Sequence, residues 1–166
     1  MQTIFPSLAD LSIIYRLQKE RGDRYFPLIR YKRLILVNSE INDIHHEIDE
    51  SDKQFEDPID IRAYVVPDAE THPLNEFGIE EKRNLTMHIT VPHLLEAGFV
   101  EQDEATGNVR RICKIGDRFE FSGVEYNVLD ITRGKRFANT DIPIDFIFIS
   151  ERYREEASEF DLVRFE

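Results

Sequence analysis

The chain has few residues that carry covalent chemistry and no long apolar run. Cys113 is the single cysteine among 166 residues, and tryptophan is absent. One cysteine excludes an internal disulfide framework, which suits a reducing compartment. No segment approaches the roughly 20 apolar residues of a membrane-spanning helix, and the N-terminus lacks the basic and apolar regions of a secretory signal. We therefore expect a soluble protein that does not bind membranes.

Sequence motifs for catalysis are also missing. No serine stands in a Gly-x-Ser-x-Gly turn, and Cys113 has no histidine near it in the sequence. The segment Arg133-Gly134-Lys135-Arg136 lacks the spaced glycine and the hydroxyl residue after lysine that a phosphate-binding loop requires. The carboxylates are abundant but scattered, so no pair stands out as an acid and a base. We expect no catalytic residue, no cofactor and no enzymatic activity.

The acidic stretch from Glu40 to Asp60 raises the question of metal binding. It holds nine carboxylates and one lysine, with His45 and His46 among them. It contains no EF-hand loop with its central glycine, and no two histidines are spaced four residues apart as on one face of a helix. A solvated acidic loop explains this composition better than a metal site does, and we expect no bound metal.

Charge is unevenly distributed along the chain, whose formal net charge is −12. Residues 1–33 carry a net +4, residues 34–84 a net −10 and residues 85–166 a net −6. An acidic body is a poor general binder of nucleic acid, because affinity for a duplex depends on cations placed against phosphates. The same charge would let DNA pass without being held.

The centre of the predicted core is a β-hairpin. A hydrophobic content of 41% and an aromatic content of 11% are enough for a packed domain. Polar and apolar residues alternate over 116–121, reverse at a Ser122-Gly123 turn and alternate again over 124–128. The side chains predicted to face the core are Phe119, Phe121, Val124, Tyr126 and Val128.

A third strand is predicted at Ile142–Ile149, after a loop from Thr132 to Asp141 with a basic tip. Ile147 and Ile149 are apolar on its second side, which predicts that the C-terminal half of the strand is covered on both faces. The residues predicted to face the core are Ile142, Ile144, Phe146 and Phe148.

Ser7 is predicted to cap a helix that runs to about Arg21, with Asp10 completing a capping box and Gly22 ending the helix. This helix has one apolar face, which either docks on the protein's own core or lies against a neighbouring subunit. The residues of that face are Leu8, Leu11, Ile14, Tyr15 and Leu17.

Basic and aromatic residues interleave from Arg24 to Arg33, a pattern typical either of nucleic-acid contact or of a strand with a solvated face. Further strands are predicted at Ile59–Val66, Leu85–Val91 and Val109–Cys113. Pro67 is expected to stop the first of these, and His88 is expected to face solvent in the second. Pro92 suits the start of a short helix.

These elements predict a mainly β fold with peripheral helices, a small antiparallel β-barrel or sandwich with an N-terminal helix and long loops. A barrel hides its edge strands better than an open sheet does, so we favour the barrel. The chain divides into residues 1–57 with the helix, basic segment and acidic loop, a β core at 58–150, and a charged tail at 151–166.

Several motifs in this core occur in a characteristic order. A Phe-Gly-Ile-Glu segment precedes an alternating strand, a Gly-Asp-Arg-Phe-x-Phe-x-Gly hairpin follows, and an Asn-Thr pair stands before the last apolar strand. The motif residues are Phe77, Gly78, Gly116, Asp117, Phe119, Phe121, Gly123, Tyr126, Asn139 and Thr140. Over roughly Pro58 to Arg152 the chain thereby resembles the neck proteins of tailed bacteriophages, the head-to-tail connector or head-closure components.

The resemblance implies a virion protein whose β-barrel subunits form a homo-oligomeric ring between portal and tail. Such a ring extends or closes the DNA channel, contacts other neck, portal or tail proteins, and passes DNA without reading its sequence. The protein would be made in the host cytoplasm and reside in the neck of the virion. The basic segment of one subunit is expected to meet the acidic loop of the next. Candidate subunit or DNA contacts are Arg30, Lys32, Arg33, Arg133, Lys135 and Arg136.

The alternative is a monomeric SH3-like or OB-like module that binds a peptide or nucleic acid. Such a module would use the basic loop at residues 133–136 together with exposed aromatic side chains. Its oligomeric state in solution separates the two hypotheses, because the neck protein is expected to self-associate.

Overall fold

The computed structural model describes residues 7–35, 53–68 and 84–153, and all structural statements below concern these residues. They form two helices and nine strands, so the prediction of a mainly β fold with peripheral helices is confirmed. The elements are α1 Leu8–Tyr25, β1 Leu28–Lys32, β2 Ile59–Arg62, β3 Tyr64–Asp68, β4 Asn84–Thr90, α2 Val91–Glu96, β5 Val100–Gln102, β6 Val109–Arg111, β7 Arg118–Phe121, β8 Val124–Arg133 and β9 Asp145–Arg152.

Seven strands form one antiparallel sheet in the order β2-β1-β7-β8-β9-β4-β3. Its two edge strands, β2 and β3, are consecutive in the chain and separated only by Ala63. Both edges therefore meet at this residue, which requires the sheet to roll into a half-barrel. The strands β5 and β6 pair separately as a small hairpin.

The segment around Ala63 differs from the single strand predicted there. Residues up to Arg62 pair with β1, and residues from Tyr64 onward pair with β4. Between them the Ala63 N–H donates to the Pro27 carbonyl at 3.2 Å. The prediction that Pro67 stops the strand is wrong, because β3 is an edge strand in which a missing N–H is tolerated.

The predicted central hairpin is confirmed as β7 and β8, with Phe119 opposite Tyr126 and Phe121 opposite Val124. Strand β8 runs to Arg133, further than predicted. A register shift between Val128 and Asp130 moves the inward and outward alternation of side chains by one residue. After it, Asp130 to Arg133 lie opposite Ile149 to Phe146 of β9.

The predicted third strand corresponds to β9, which begins and ends three residues later than predicted, at Asp145 and Arg152, and whose Phe146 and Phe148 are buried in the core as expected. The prediction that its second side is covered is wrong for Ile149, which is 37% exposed. The reason is that α1 and α2 add their buried residues to the same core as the inward side chains of the sheet. The opposite face of β9 has no helix over it among the described residues.

Helix α1 begins as predicted, with Ser7 and Asp10 exchanging the hydrogen bonds of a capping box. It docks on the protein's own core through Leu11 and Tyr15, whereas Leu8 and Leu17 of the predicted apolar face are largely exposed. Gly22 does not end the helix, which continues to Tyr25, because Gly22 is a buried packing position rather than a cap.

Helix α2 follows β4 directly, with Pro92 in its first turn. Strand β5 was not expected, and it pairs with β6 across the turn that contains Gly107. Outside the described residues lie most of the acidic stretch, the Phe77-Gly78 segment and the tail beyond Tyr153.

Candidate functional site

The Gly116-Asp117 pair of the sequence motif forms the turn that leads into the central hairpin. Gly116 has a φ of +93°, a backbone conformation that side chains disfavour, so glycine suits the position. Its N–H donates to the Val128 carbonyl at 2.9 Å, and the Val128 N–H donates back to the Asp117 carbonyl at 2.8 Å. The turn is thereby fastened to β8.

The Asp117 side chain is buried and accepts three hydrogen bonds. The Tyr31 hydroxyl donates at 2.9 Å and the Lys114 N–H at 2.8 Å to one carboxylate oxygen, while the Leu34 N–H donates at 2.9 Å to the other. Burial raises the pKa of Asp117 above its ordinary value, although these hydrogen bonds act in the opposite direction. One carboxylate thus joins β1, the residues after β1 and the turn before β7.

The hairpin residues of the motif supply packing and the reversal of the chain. The rings of Phe119 and Tyr126 stack across the two strands with centroids 5.2 Å apart. Ser122 and Gly123 both have positive φ, at 53° and 76°, as a tight two-residue hairpin turn requires. Phe121 is half-buried beside this core.

The last motif pair lies in the loop between β8 and β9. The Thr140 hydroxyl donates to the Phe137 carbonyl at 2.6 Å, and its oxygen accepts from the Ile142 N–H at 3.3 Å. Asn139 is exposed on the same loop. Phe77 and Gly78 lie outside the described residues, so the structure places eight of the ten motif residues.

The basic segment after α1 forms β1, which confirms the strand interpretation of its second half. Arg33 makes a bidentate pair with Glu56, with two nitrogen-to-oxygen distances of 2.8 Å, and Lys32 hydrogen-bonds to Glu125. Arg30 is more available, because its side chain is 62% exposed and the carboxylate oxygens near it are 3.9 Å away. Two of the three candidate cations are therefore already paired within the chain.

The pair between Lys32 and Glu125 predicts a pH-dependent contribution to stability. The Lys32 ammonium lowers the pKa of Glu125 below its ordinary value of 4.5. A lowered pKa stabilises the fold above pH 4.5, and this stabilisation is lost as the pH falls through the lowered value. Glu125→Gln is therefore expected to reduce the urea concentration at half-unfolding at neutral pH and to have progressively less effect below pH 4.5. Glu120→Gln is the control, since the contact of Glu120 to Arg30 is 3.9 Å long, and an equal effect of both variants would contradict the prediction.

Arg118 is a central charged residue that the sequence pattern did not identify. Its side chain is 10% exposed and lies between two aromatic rings, with the Tyr153 centroid at 3.8 Å and the Phe55 centroid at 4.6 Å. It also donates to Asn127 at 3.0 Å and to Glu125 at 3.3 Å. No sequence signal reveals this cluster, because both rings come from distant parts of the chain.

The second group of candidate cations is exposed on the loop between β8 and β9. Arg136 pairs with Asp141 at 3.0 Å, and Arg133 reaches the carbonyl of the same residue at 3.5 Å. Lys135 is held through its backbone N–H by the Asp145 carboxylate, which leaves its side chain in solvent. This loop and the basic residues of β1 do not come together, because β7 and β8 separate β1 from β9.

Thr90, His93 and Asp23 make the sequence of contacts found in a hydrolytic triad. The Thr90 hydroxyl oxygen lies 2.6 Å from His93 Nδ1, and His93 Nε2 lies 3.1 Å from an Asp23 carboxylate oxygen. However, Thr90 is 5% exposed and the Asp23 side chain is 50% exposed. The hydroxyl therefore lies at the buried end of this chain of contacts, and the carboxylate lies at the exposed end. This chain of contacts joins α1 to α2, and a Cβ on Gly22 would overlap the His93 ring.

The described residues also include one buried free cysteine. Burial raises the pKa of the Cys113 thiol to about 12, so it stays protonated at neutral pH. In residues 7–35, 53–68 and 84–153, no three or more His, Cys, Asp or Glu side chains are grouped to hold a metal ion. Nor is any helix in these ranges long and apolar enough to cross a bilayer. No model of a known protein family matches the chain, and a search of curated proteins finds no matching sequence.

Proposed function

We propose that the chain is a structural protein of a tailed-bacteriophage neck, a subunit of a ring that lies between portal and tail and extends or closes the DNA channel. The observation that carries the proposal is the role of the motif residues. Gly116, Asp117, Phe119 and Tyr126 fix the central hairpin of a rolled antiparallel sheet, which is the kind of subunit that the resemblance implies.

The charge of the chain supports the same proposal. A ring that DNA must traverse benefits from a net negative surface, because carboxylates repel the phosphate backbone and leave no site where DNA is held. Exposed acidic side chains include Asp103 and Glu104 at the tip of the β5–β6 hairpin. The net charge of −12 fits a channel component better than it fits a general DNA binder.

The ion pairs within the chain favour different roles for the candidate contact residues. Arg30 is free to meet an acidic loop of the next subunit, whereas Lys32 and Arg33 would first have to leave Glu125 and Glu56. The exposed loop with Lys135 is the better candidate for contacts with portal or tail proteins.

The decisive experiment is deletion of the gene from the virus that encodes it. We expect DNA-filled heads and separate tails to accumulate and joined particles to be lost, with recovery when the protein is supplied from a plasmid. Electron microscopy of both preparations measures the outcome. Normal joined particles without the protein, or its absence from purified virions, would refute the proposal.

A monomeric binding module remains the second candidate, and one observation favours it. The Tyr64 ring is exposed and lies 6.0 Å from the His88 ring, which approaches the Asp145 carboxylate to 3.5 Å. Asp145 holds the basic loop through Lys135, so an exposed aromatic and a basic loop adjoin on one surface. A protein that stays monomeric and binds single-stranded oligonucleotides through this surface would favour the module over the neck.

A further inference from the structure

Helix α1 has a second apolar stripe that is exposed in the described part of the chain. Ile13 and Leu17 are 48% and 57% exposed and lie one turn apart, on the side opposite the buried Leu11. Glu20, Arg21 and Arg24 continue the same stripe toward the C-terminal end, and none of the three makes an ion pair within the described residues. We call Ile13, Leu17, Glu20, Arg21 and Arg24 the helix face; it is apolar at its centre and carries two arginines and one glutamate, a net positive charge, at one end.

The outer side of the sheet has a complementary patch on β3, β4, β9 and the paired end of β8. Tyr64 is 52% exposed and Ile149 is 37% exposed. Asp130 pairs with Ile149 across the strands, and Glu151 follows two residues later on the same side. The sheet face consists of Tyr64, Val66, Ile147, Ile149, Asp130 and Glu151.

The two surfaces are complementary in charge as well as apolar. Asp130 and Glu151 place two carboxylates at one end of the sheet face, and within the described residues neither makes an ion pair. The basic loop adjoins the other end, beyond His88 and Asp145. The arginines of a helix face would therefore be attracted to the end of the sheet face that bears Asp130 and Glu151.

The helix face and the sheet face of one chain cannot contact each other. Leu11 and Tyr15 pack into the same core as the inward residues of the sheet, so α1 covers the inner side. Its helix face points away from the core, and the sheet face lies on the far side of the core from α1. The contact is also a face contact rather than strand addition, because Pro67 leaves the β3 edge without one N–H donor.

We propose that the helix face of one copy of this chain binds the sheet face of the next copy. The contact joins two different surfaces, so it repeats from copy to copy and ends by closing a ring or by growing a filament. The inference rests on the proposed function for its partner, a second copy, and adds which two surfaces meet.

Two double variants test the contact in the full-length protein. Ile13→Glu with Leu17→Glu disables the helix face, and Tyr64→Glu with Ile149→Glu disables the sheet face. All four side chains are exposed, so we expect circular dichroism to match the wild type and thermal unfolding to stay cooperative, with a lower midpoint for the variant that places Glu opposite Asp130. Ile115→Glu is the matched control, since Ile115 is 57% exposed in a turn that belongs to neither face.

Light scattering coupled to size exclusion measures the oligomeric state at protein concentrations up to about 1 mM. At this concentration even a contact with a binding free energy of only about 4 kcal/mol is half formed. We expect the wild type and the control to self-associate and each double variant to stay monomeric. Mixing the two double variants is expected to give a heterodimer that grows no further, because each partner keeps one working face.

Three outcomes would overturn the inference: a wild type that stays monomeric throughout, a double variant that still self-associates, or a mixture without heterodimers. The neck proposal is judged separately by the deletion experiment. A monomeric chain whose deletion abolishes joined particles rejects this contact alone, whereas assembly through these faces by a chain absent from virions rejects the neck alone.

Discussion

Replacing Asp117 with alanine is expected to lower the free energy of unfolding by about 3 to 5 kcal/mol, because it leaves three hydrogen-bond donors without their acceptor. The Tyr31 hydroxyl is the most costly of them, since Tyr31 is fully buried and water cannot replace the carboxylate. The N–H groups of Leu34 and Lys114 are less enclosed, so part of their loss is offset by solvent.

Urea denaturation followed by circular dichroism measures this loss. Asp103→Ala is the matched control, because the Asp103 carboxylate also accepts from the Ala105 N–H and the Thr106 hydroxyl but does so at the surface. We expect the control to lose much less stability than Asp117→Ala, because solvent replaces the hydrogen bonds of an exposed carboxylate. Similar losses in the free energy of unfolding for the two variants would show that the buried Asp117 hydrogen bonds stabilise the protein no more than exposed ones do.

Gly22→Ala is expected to destabilise the protein by about 1 to 3 kcal/mol, although alanine favours an isolated helix over glycine by about 1 kcal/mol. The added Cβ would overlap the His93 ring, which is 4% exposed and held by Thr90 and Asp23. Either α1 moves away from α2 or the imidazole leaves its hydrogen bonds, and both are costly.

The same substitution in a His93→Ala background tests this cause. Without the imidazole the overlap disappears, so Gly22→Ala should become neutral or stabilising by up to about 1 kcal/mol. The four proteins of this double-mutant cycle are compared by thermal and urea unfolding. A loss that is unchanged in the His93→Ala background would mean that the ring is not the obstacle.

The local sequence pattern was sufficient to predict the hairpin, but it did not predict which distant strands pair with one another. Strict alternation and a Ser122-Gly123 turn place β7 and β8 without knowledge of the rest, because such signals act between neighbours in the chain. The sequence around Ala63 does not indicate that the strand changes its pairing partner, since the residues on both sides continue the same alternation. The change of pairing partner there depends on where β1 and β4 lie, which no local window contains.

Packing contacts explain the other differences. Gly22 has the residue type of a helix stop, but the approach of His93 from α2 gives it a different role. Strand β5 is three residues long with only Val100 buried, too short for a periodic signal. Ile149 is apolar but exposed, and an apolar residue by itself does not tell whether a second layer covers it.

The candidate site was predictable only in part. The motif marked Asp117, but its three donors come from β1, the residues after β1 and the preceding turn, which only the fold brings together. The sequence pattern marked Lys32 and Arg33 as candidate subunit or DNA contacts, and it did not reveal their partners, Glu125 and Glu56, because these are distant in the chain. Arg118 was missed for the same reason.

The corner at Ala63 also governs how the sheet loosens. Edge strands normally fray first and independently, because each has one neighbour. Here both edge strands belong to one continuous stretch, residues 59–68. A displacement of β2 is therefore transmitted to β3 through Ala63, which is hydrogen-bonded to Pro27. The two margins of the half-barrel are thus coupled mechanically, and the sheet resists peeling from either side as long as that single bend holds.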